Sequence, residues 1–74
     1  MILGVQSTIV LEINGEAKLV PACATVRELL ENLGIKSERI AVEVNRRIIR
    51  RQDWNQAPIH DQDKVEIVQF VGGG

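Results

Sequence analysis

An α+β fold is predicted, with a sheet of four to five strands and one main helix packed on one face. Three features of the sequence carry that prediction. Residues 8–13, TIVLEI, place Ile9, Leu11 and Ile13 on one side at a period of two, the mark of a half-buried strand. Residues 25–34 switch to a helical period, with Val26, Leu29, Leu30 and Leu33 at i, i+3, i+4 and i+7. Residues 64–70, KVEIVQF, return to an alternating run rich in β-branched residues.

Each element follows from local chemistry. Asn14-Gly15 after the first strand is a strong hairpin signal, because both central positions of the favoured two-residue turn need positive φ. EAKLV at 16–20 is the returning strand, and Pro21 ends it. Thr25 and Glu28 have capping-box spacing, and Gly34 stands where a left-handed C-terminal cap belongs, so the helix spans 26–33 and lays its leucines on the hairpin. IAVEV at 40–44 reads as a third strand ended by Asn45, and RII at 47–49 as a possible short fourth. Residues 51–64 are turn-rich, with Trp54 as their one large apolar anchor and Pro58 as a breaker.

Composition excludes several function classes. At 74 residues the chain makes one small domain, 1–74, with 1–7 a possible N-terminal extension and 71–74 a flexible tail. A chain of this size buries only roughly 60–65% of its unfolded surface, which leaves no room for an enclosed active site. Nine basic and ten acidic residues give a net charge of −1, unlike the basic footprint of a nucleic-acid binder. Cys23 is the only cysteine, so neither an intrachain disulfide nor a cysteine metal cluster is possible, and a reducing, cytoplasmic setting is expected. The opening MILGVQS lacks the pattern of a signal peptide, and no run approaches a membrane span.

The end of the chain, FVGGG, points to chemistry at a carboxylate. Three successive glycines carry no side chains and lose much entropy on ordering, so they serve as a thin leash. Residues 71–74 reach about 13–14 Å when extended, enough to thread a terminal carboxylate into a narrow cleft of a partner. That carboxylate is ionised at neutral pH and a poor electrophile until activated. The chain has no GxxxxGK[ST] loop or other phosphate-cradling glycine cluster, so activation has to come from a partner enzyme.

The stretch DQDKVEIVQFVGGG (61–74) resembles the C-terminal signature of the ThiS family, the sulfur carriers of thiamine biosynthesis. VEVNRRIIRRQDW (42–54) is similar to the family's central block, with Asn45, Ile48, Ile49, Arg51 and Trp54 at matching positions. The Asn14-Gly15 turn and TVRELLENLGI (25–35) also fit, so the resemblance covers residues 8–74. Three departures stand out. Gln62 replaces the usual turn glycine, Arg50 sits where a proline is common, and Met1–Ser7 exceeds the family's short start. The related small subunit of molybdopterin synthase is usually longer, with prolines before its diglycine, so VQFVGGG favours the thiamine carrier.

The resemblance implies a β-grasp, ubiquitin-like mixed sheet with the first and last strands parallel at its centre. It also implies a mechanism. A ThiF-like adenylating enzyme uses ATP and Mg²⁺ to adenylate the Gly74 carboxylate. Sulfur from a cysteine desulfurase or another donor then displaces AMP to leave a thiocarboxylate. A ThiG-like thiazole synthase takes that sulfur for the thiazole ring. The chain is then a cosubstrate rather than an enzyme, binds no cofactor or metal itself, and is expected to be a monomer alone. Gly72 and Gly73 thread the partner's active site, while Val68, Phe70 and Val71 are candidate docking contacts, since Val68 and Phe70 share the face of the last strand opposite Val65 and Ile67.

The remaining candidates read as structural. Arg46, Arg47, Arg50 and Arg51 form the one charge cluster, and without interleaved aromatics they read as a solvated hairpin flank rather than an RNA surface. Cys23 lacks a neighbour that would lower its pKa, and His60, Asp61 and Asp63 read as turn residues rather than metal ligands. Other readings stay open at this point: a sulfur carrier for another pathway such as molybdopterin, a ubiquitin-like modifier, or a β-grasp interaction or RNA-binding module.

Overall fold

The computed structural model describes residues 7–36 and 39–70. Along the chain these residues form β1 (Thr8–Ile13), β2 (Glu16–Pro21), α1 (Val26–Asn32), β3 (Ile40–Val44), β4 (Arg47–Ile49), a 3-10 turn (Arg51–Asp53) and β5 (Lys64–Gln69). The strands make one sheet in the order β2-β1-β5-β3-β4. β1 and β5 run parallel, and the other neighbours pair antiparallel. This is the β-grasp arrangement that the resemblance implied, with the last strand at the centre. The expected N-terminal extension lies, apart from Ser7, outside the described residues.

Both hairpins close through turns with two positive-φ residues. Asn14 and Gly15 have φ of 51° and 84°, the twist that lets β2 return in register on β1. Asn45 and Arg46 repeat the device between β3 and β4 with φ of 51° and 70°, which confirms the short fourth strand. Here an arginine takes a position that favours glycine. β2 includes Pro21, opposite Thr8, which suits an edge strand whose missing N–H faces outward.

The helix caps differ in one detail from a standard capping box. Thr25 Oγ1 accepts from the Glu28 amide at 3.3 Å, as expected. The Glu28 carboxylate, however, accepts from the Ala24 amide at 2.6 Å, one residue before the cap, rather than from Thr25 itself. The next two amides, of Val26 and Arg27, donate to the Ala57 and Trp54 carbonyls. Carbonyls of the long loop thus satisfy helix-start groups that would otherwise be orphaned. At the other end α1 stops at Asn32 with Leu33 as its C-cap, one residue short of the predicted span. Gly34, at φ 73°, donates to the Glu31 carbonyl and Ile35 donates to Leu30, a complete Schellman motif.

The core lies between one sheet face and α1. Leu11 and Ile13 from β1, Val65 from β5 and Val42 and Val44 from β3 meet Val26, Leu29 and Leu30 of the helix. Each such side chain contributes about 1.5–3 kcal/mol relative to exposure. Trp54 swings in from the long loop and is buried, with its indole N–H donating to the Ile49 carbonyl at 3.1 Å and the Arg27 guanidinium 5.2 Å above its ring. The predicted anchor role is therefore met. Among the described residues no polar or charged side chain is buried, and no helix is long and apolar enough to cross a membrane.

Candidate functional site at the end of the last strand

β5 is gripped from both sides before it leaves the sheet. On the β1 side, Asn14 donates its backbone N–H to the Val65 carbonyl, and its side-chain amide pairs with the backbone of Ile67. On the β3 side, Asn45 donates its N–H to the Lys64 carbonyl at 2.7 Å, while its Oδ1 accepts from the Lys64 amide at 3.0 Å. Pairing with β3 continues to Gln69, and the Phe70 amide still donates to the Arg39 carbonyl. The chain is held by backbone bonds up to the residue that precedes Val71.

The pleat then divides the strand's side chains. Val65 is buried and Ile67 half-buried against the helix layer, whereas Val68 and Phe70 are 56% and 58% exposed on the opposite face. This is the division expected from the alternation. Val71, Gly72, Gly73 and Gly74, the other residues of the predicted working end, lie outside the described residues.

Register brings further residues onto the open face beside Val68. Val68 lies opposite Ala41, and Glu66 opposite Glu43, which in turn faces Ile48 of β4. Ile48 is 75% exposed. Together these residues line a shallow depression of about 210 Å³ with apolar walls and two carboxylates. Sequence reasoning did not single out Ile48, Glu43 or Glu66 for this face. The alternation in VEV (42–44) and VEI (65–67) places each glutamate opposite a core face, but their juxtaposition depends on the register of two strands far apart in the chain.

The other candidates take structural positions. Cys23 is half-buried between β2 and α1, and its thiol is pushed above its ordinary pKa by burial and, secondarily, by the Glu28 carboxylate. That disfavours the reactive thiolate. Among the described residues no group of three or more possible ligands is placed to hold a metal ion. The aspartates of the 60–63 turn instead tie it to the sheet. Asp63 Oδ2 accepts from the His60 amide at 2.8 Å and its Oδ1 from the Asn45 side chain at 2.9 Å. Asp61 Oδ1 accepts from the Val10 amide at 2.6 Å and its Oδ2 from the Gln62 side chain, which holds its carboxyl below the usual range. Arg46, Arg47, Arg50 and Arg51 are all exposed, at or just after the β3–β4 hairpin.

Comparison with known proteins bears on the family and the fold. The sequence model of the ThiS family matches residues 6–74. A thiazole synthase from Paramagnetospirillum magneticum is 45% identical over 64 residues, which are 86% of this chain and 20% of that protein. The chain therefore spans about a fifth of the length of that relative. The sulfur carrier protein ThiS of Bacillus subtilis is 34% identical over 65 residues, covering 86% of this chain and 98% of that one. Among solved structures, the thiamine biosynthesis protein ThiS from Geobacter metallireducens superposes with a TM-score of 0.77 at 32% identity, over 89% of this chain and all of that one.

Proposed function

The chain belongs to the ThiS family, and from that premise we propose that it is a sulfur carrier of thiamine biosynthesis which carries sulfur as a thiocarboxylate on Gly74. The observation that carries the reading is the family match over residues 6–74, which includes the glycine tail as well as the folded part. The open face around Val68 and Phe70, at the root of that tail, supports it as a place for partner enzymes to dock.

In this reading the chain performs no catalysis of its own. An adenylating enzyme attacks ATP with the Gly74 carboxylate, forming an acyl adenylate and releasing pyrophosphate. A sulfur nucleophile then attacks the acyl carbon and AMP leaves, so that one carboxylate oxygen is replaced by sulfur. Gly72 and Gly73 let the end of the chain pass through clefts that would exclude a side chain. The thiazole synthase consumes the sulfur and returns the carrier to its carboxylate form. Val68, Phe70 and Val71 provide contacts outside those clefts.

Intact mass spectrometry after incubation with an adenylating enzyme, ATP, Mg²⁺ and a sulfur donor tests this. The expected product gains the mass of sulfur in place of one oxygen, localised by fragmentation to Gly74. An unchanged mass, or sulfur found at Cys23 instead, overturns the proposal. Reconstitution with thiazole synthase then assigns the pathway.

A further inference from the structure

We propose that the Asn14 side chain is a positioning residue for sulfur loading, holding the end of β5 so that the glycine tail starts from a fixed point and in a fixed direction. This inference rests on the carrier reading and adds to it a residue far in sequence from the reacting carboxylate.

Asn14 takes over from a strand that has ended. Backbone pairing of β1 with β5 stops at Glu12 opposite Lys64 and Ile13 opposite Val65. The Asn14 amide still donates to the Val65 carbonyl at 2.9 Å, as the next residue of a parallel strand would. The carbonyl of such a residue would go on to accept from the Ile67 amide. At Asn14 the hairpin turn, with φ of 51°, carries the main chain away instead. Its Oδ1 fills the place, accepting from the Ile67 amide at 2.8 Å, and its Nδ2 donates to the Ile67 carbonyl at 3.2 Å. The carboxamide acts as a surrogate peptide group. Asparagine suits the position, because it tolerates positive φ and carries donor and acceptor on one planar group.

The support of β5 beyond this point is one-sided. Pairing with β3 runs on to Gln69, and the Phe70 amide donates to the Arg39 carbonyl at 2.8 Å. On the β1 side, among the described residues, the Asn14 carboxamide is the last hold on the β5 backbone. Val68, Gln69 and Phe70 therefore form a two-stranded end, which is marginal by itself. While that end stays down, the leash is residues 71–74, about 13–14 Å when extended. Once it lifts back to Ile67, the leash becomes seven residues, about 23–25 Å. A longer tether lowers the effective concentration of the carboxylate at the partner's nucleotide, and a misplacement of about 1 Å can cost roughly a hundredfold in rate.

The test compares wild type with Asn14→Gly, Asn14→Asp and Thr25→Ala. Loading with an adenylating enzyme, ATP, Mg²⁺ and a sulfur donor is followed by mass spectrometry over a range of carrier concentrations. Amide hydrogen exchange is measured on the carrier alone. Asn14→Gly keeps the turn and loses both bonds. It is expected to lower kcat for loading about five- to tenfold with KM within about twofold of wild type. Exchange is expected to quicken from Ile67 to Phe70 and to stay slow in β3. Asn14→Asp keeps the acceptor for the Ile67 amide and is expected to recover part of the lost kcat. Thr25→Ala removes the helix-cap bond, away from the end of β5, and is expected to lower the thermal midpoint while loading at the wild-type kcat.

Wild-type kcat in Asn14→Gly overturns the proposal. So does an equal fall in Thr25→Ala, which would make the effect one of stability alone, or a raised KM with kcat unchanged, which would make it one of docking. Failure of the wild type to load strikes the carrier reading instead, and the exchange comparison then still decides whether Asn14 holds the end of β5.

Discussion

The side chain of Asn14 closes on both backbone polar groups of Ile67: its Oδ1 accepts from the Ile67 amide at 2.8 Å, and its Nδ2 donates to the Ile67 carbonyl at 3.2 Å. β1 ends one residue earlier, at Ile13, and the main chain turns away. The asparagine therefore extends the parallel ladder by one step with its side chain while its backbone, at φ 51°, begins the hairpin. One residue serves the turn and steadies the strand that leads to the tail.

Replacing Asn14 separates those two roles. Asn14→Gly keeps the positive-φ turn but removes both bonds, and is expected to lower stability by about 1–2 kcal/mol. Asn14→Ala adds left-handed strain and is expected to cost about 1 kcal/mol more. Denaturant unfolding of the three proteins checks the order wild type, glycine variant, alanine variant.

Gln62 carries backbone strain. It adopts φ 73°, a left-handed conformation costly for a residue with a Cβ. Its amide still donates to the Val10 carbonyl at 2.7 Å, a bond that does not depend on the side chain. Gln62→Gly is expected to stabilise the fold by about 0.5–1 kcal/mol, after the loss of the side-chain bond to Asp61 and the entropy cost of glycine are set against the relieved strain. A raised thermal midpoint confirms this, and a lowered one contradicts it.

Asp61 sets a pH dependence. Its carboxyl is held below the usual carboxylate range, first by the Val10 amide and then by the Gln62 side chain. Its folded-state pKa is thus lower than its unfolded value of about 3.9. The stabilisation is fully present above that unfolded value and is lost as pH falls through the folded one. Asp61→Asn is expected to flatten the decline of the unfolding midpoint below about pH 4 while leaving the neutral fold intact. Urea midpoints measured from pH 2 to 7 test the sign.

Removing Gly73 and Gly74 is expected to abolish sulfur loading and leave the unfolding curve unchanged. Among the described residues the fully buried core ends at Val65, and the last backbone bond to the sheet is made by Phe70. Circular dichroism and mass spectrometry on the same truncated protein read the two properties separately. Loading that survives the truncation contradicts the carrier function.

The elements that were legible in the sequence are those whose signals are local. The β1–β2 hairpin follows from alternation on either side of Asn14-Gly15, and the helix from its leucine stripe, Thr25 and Gly34. The exposure of Val68 and Phe70 follows from the period of two in KVEIVQF. The second hairpin turn was harder to read, because Asn45-Arg46 lacks the glycine that usually marks positive φ. Glu28 also bonds one residue earlier than a capping box predicts, to the Ala24 amide, which the spacing of Thr25 and Glu28 does not reveal.

Local sequence chemistry thus determined the hairpin, the helix with its caps and the apolar faces of the strands, because each depends on neighbours within a few residues. Its family signature also marked the glycine end as the place to look for chemistry. Only the tertiary structure decided that Ala57 and Trp54 carbonyls complete the helix start, that Asn14 and Asn45 grip β5 from opposite sides, and that Glu43 meets Glu66 beside Ile48 and Val68. Those contacts join residues about 20 to 50 positions apart, and no periodicity within one segment specifies the register at which two distant segments pair.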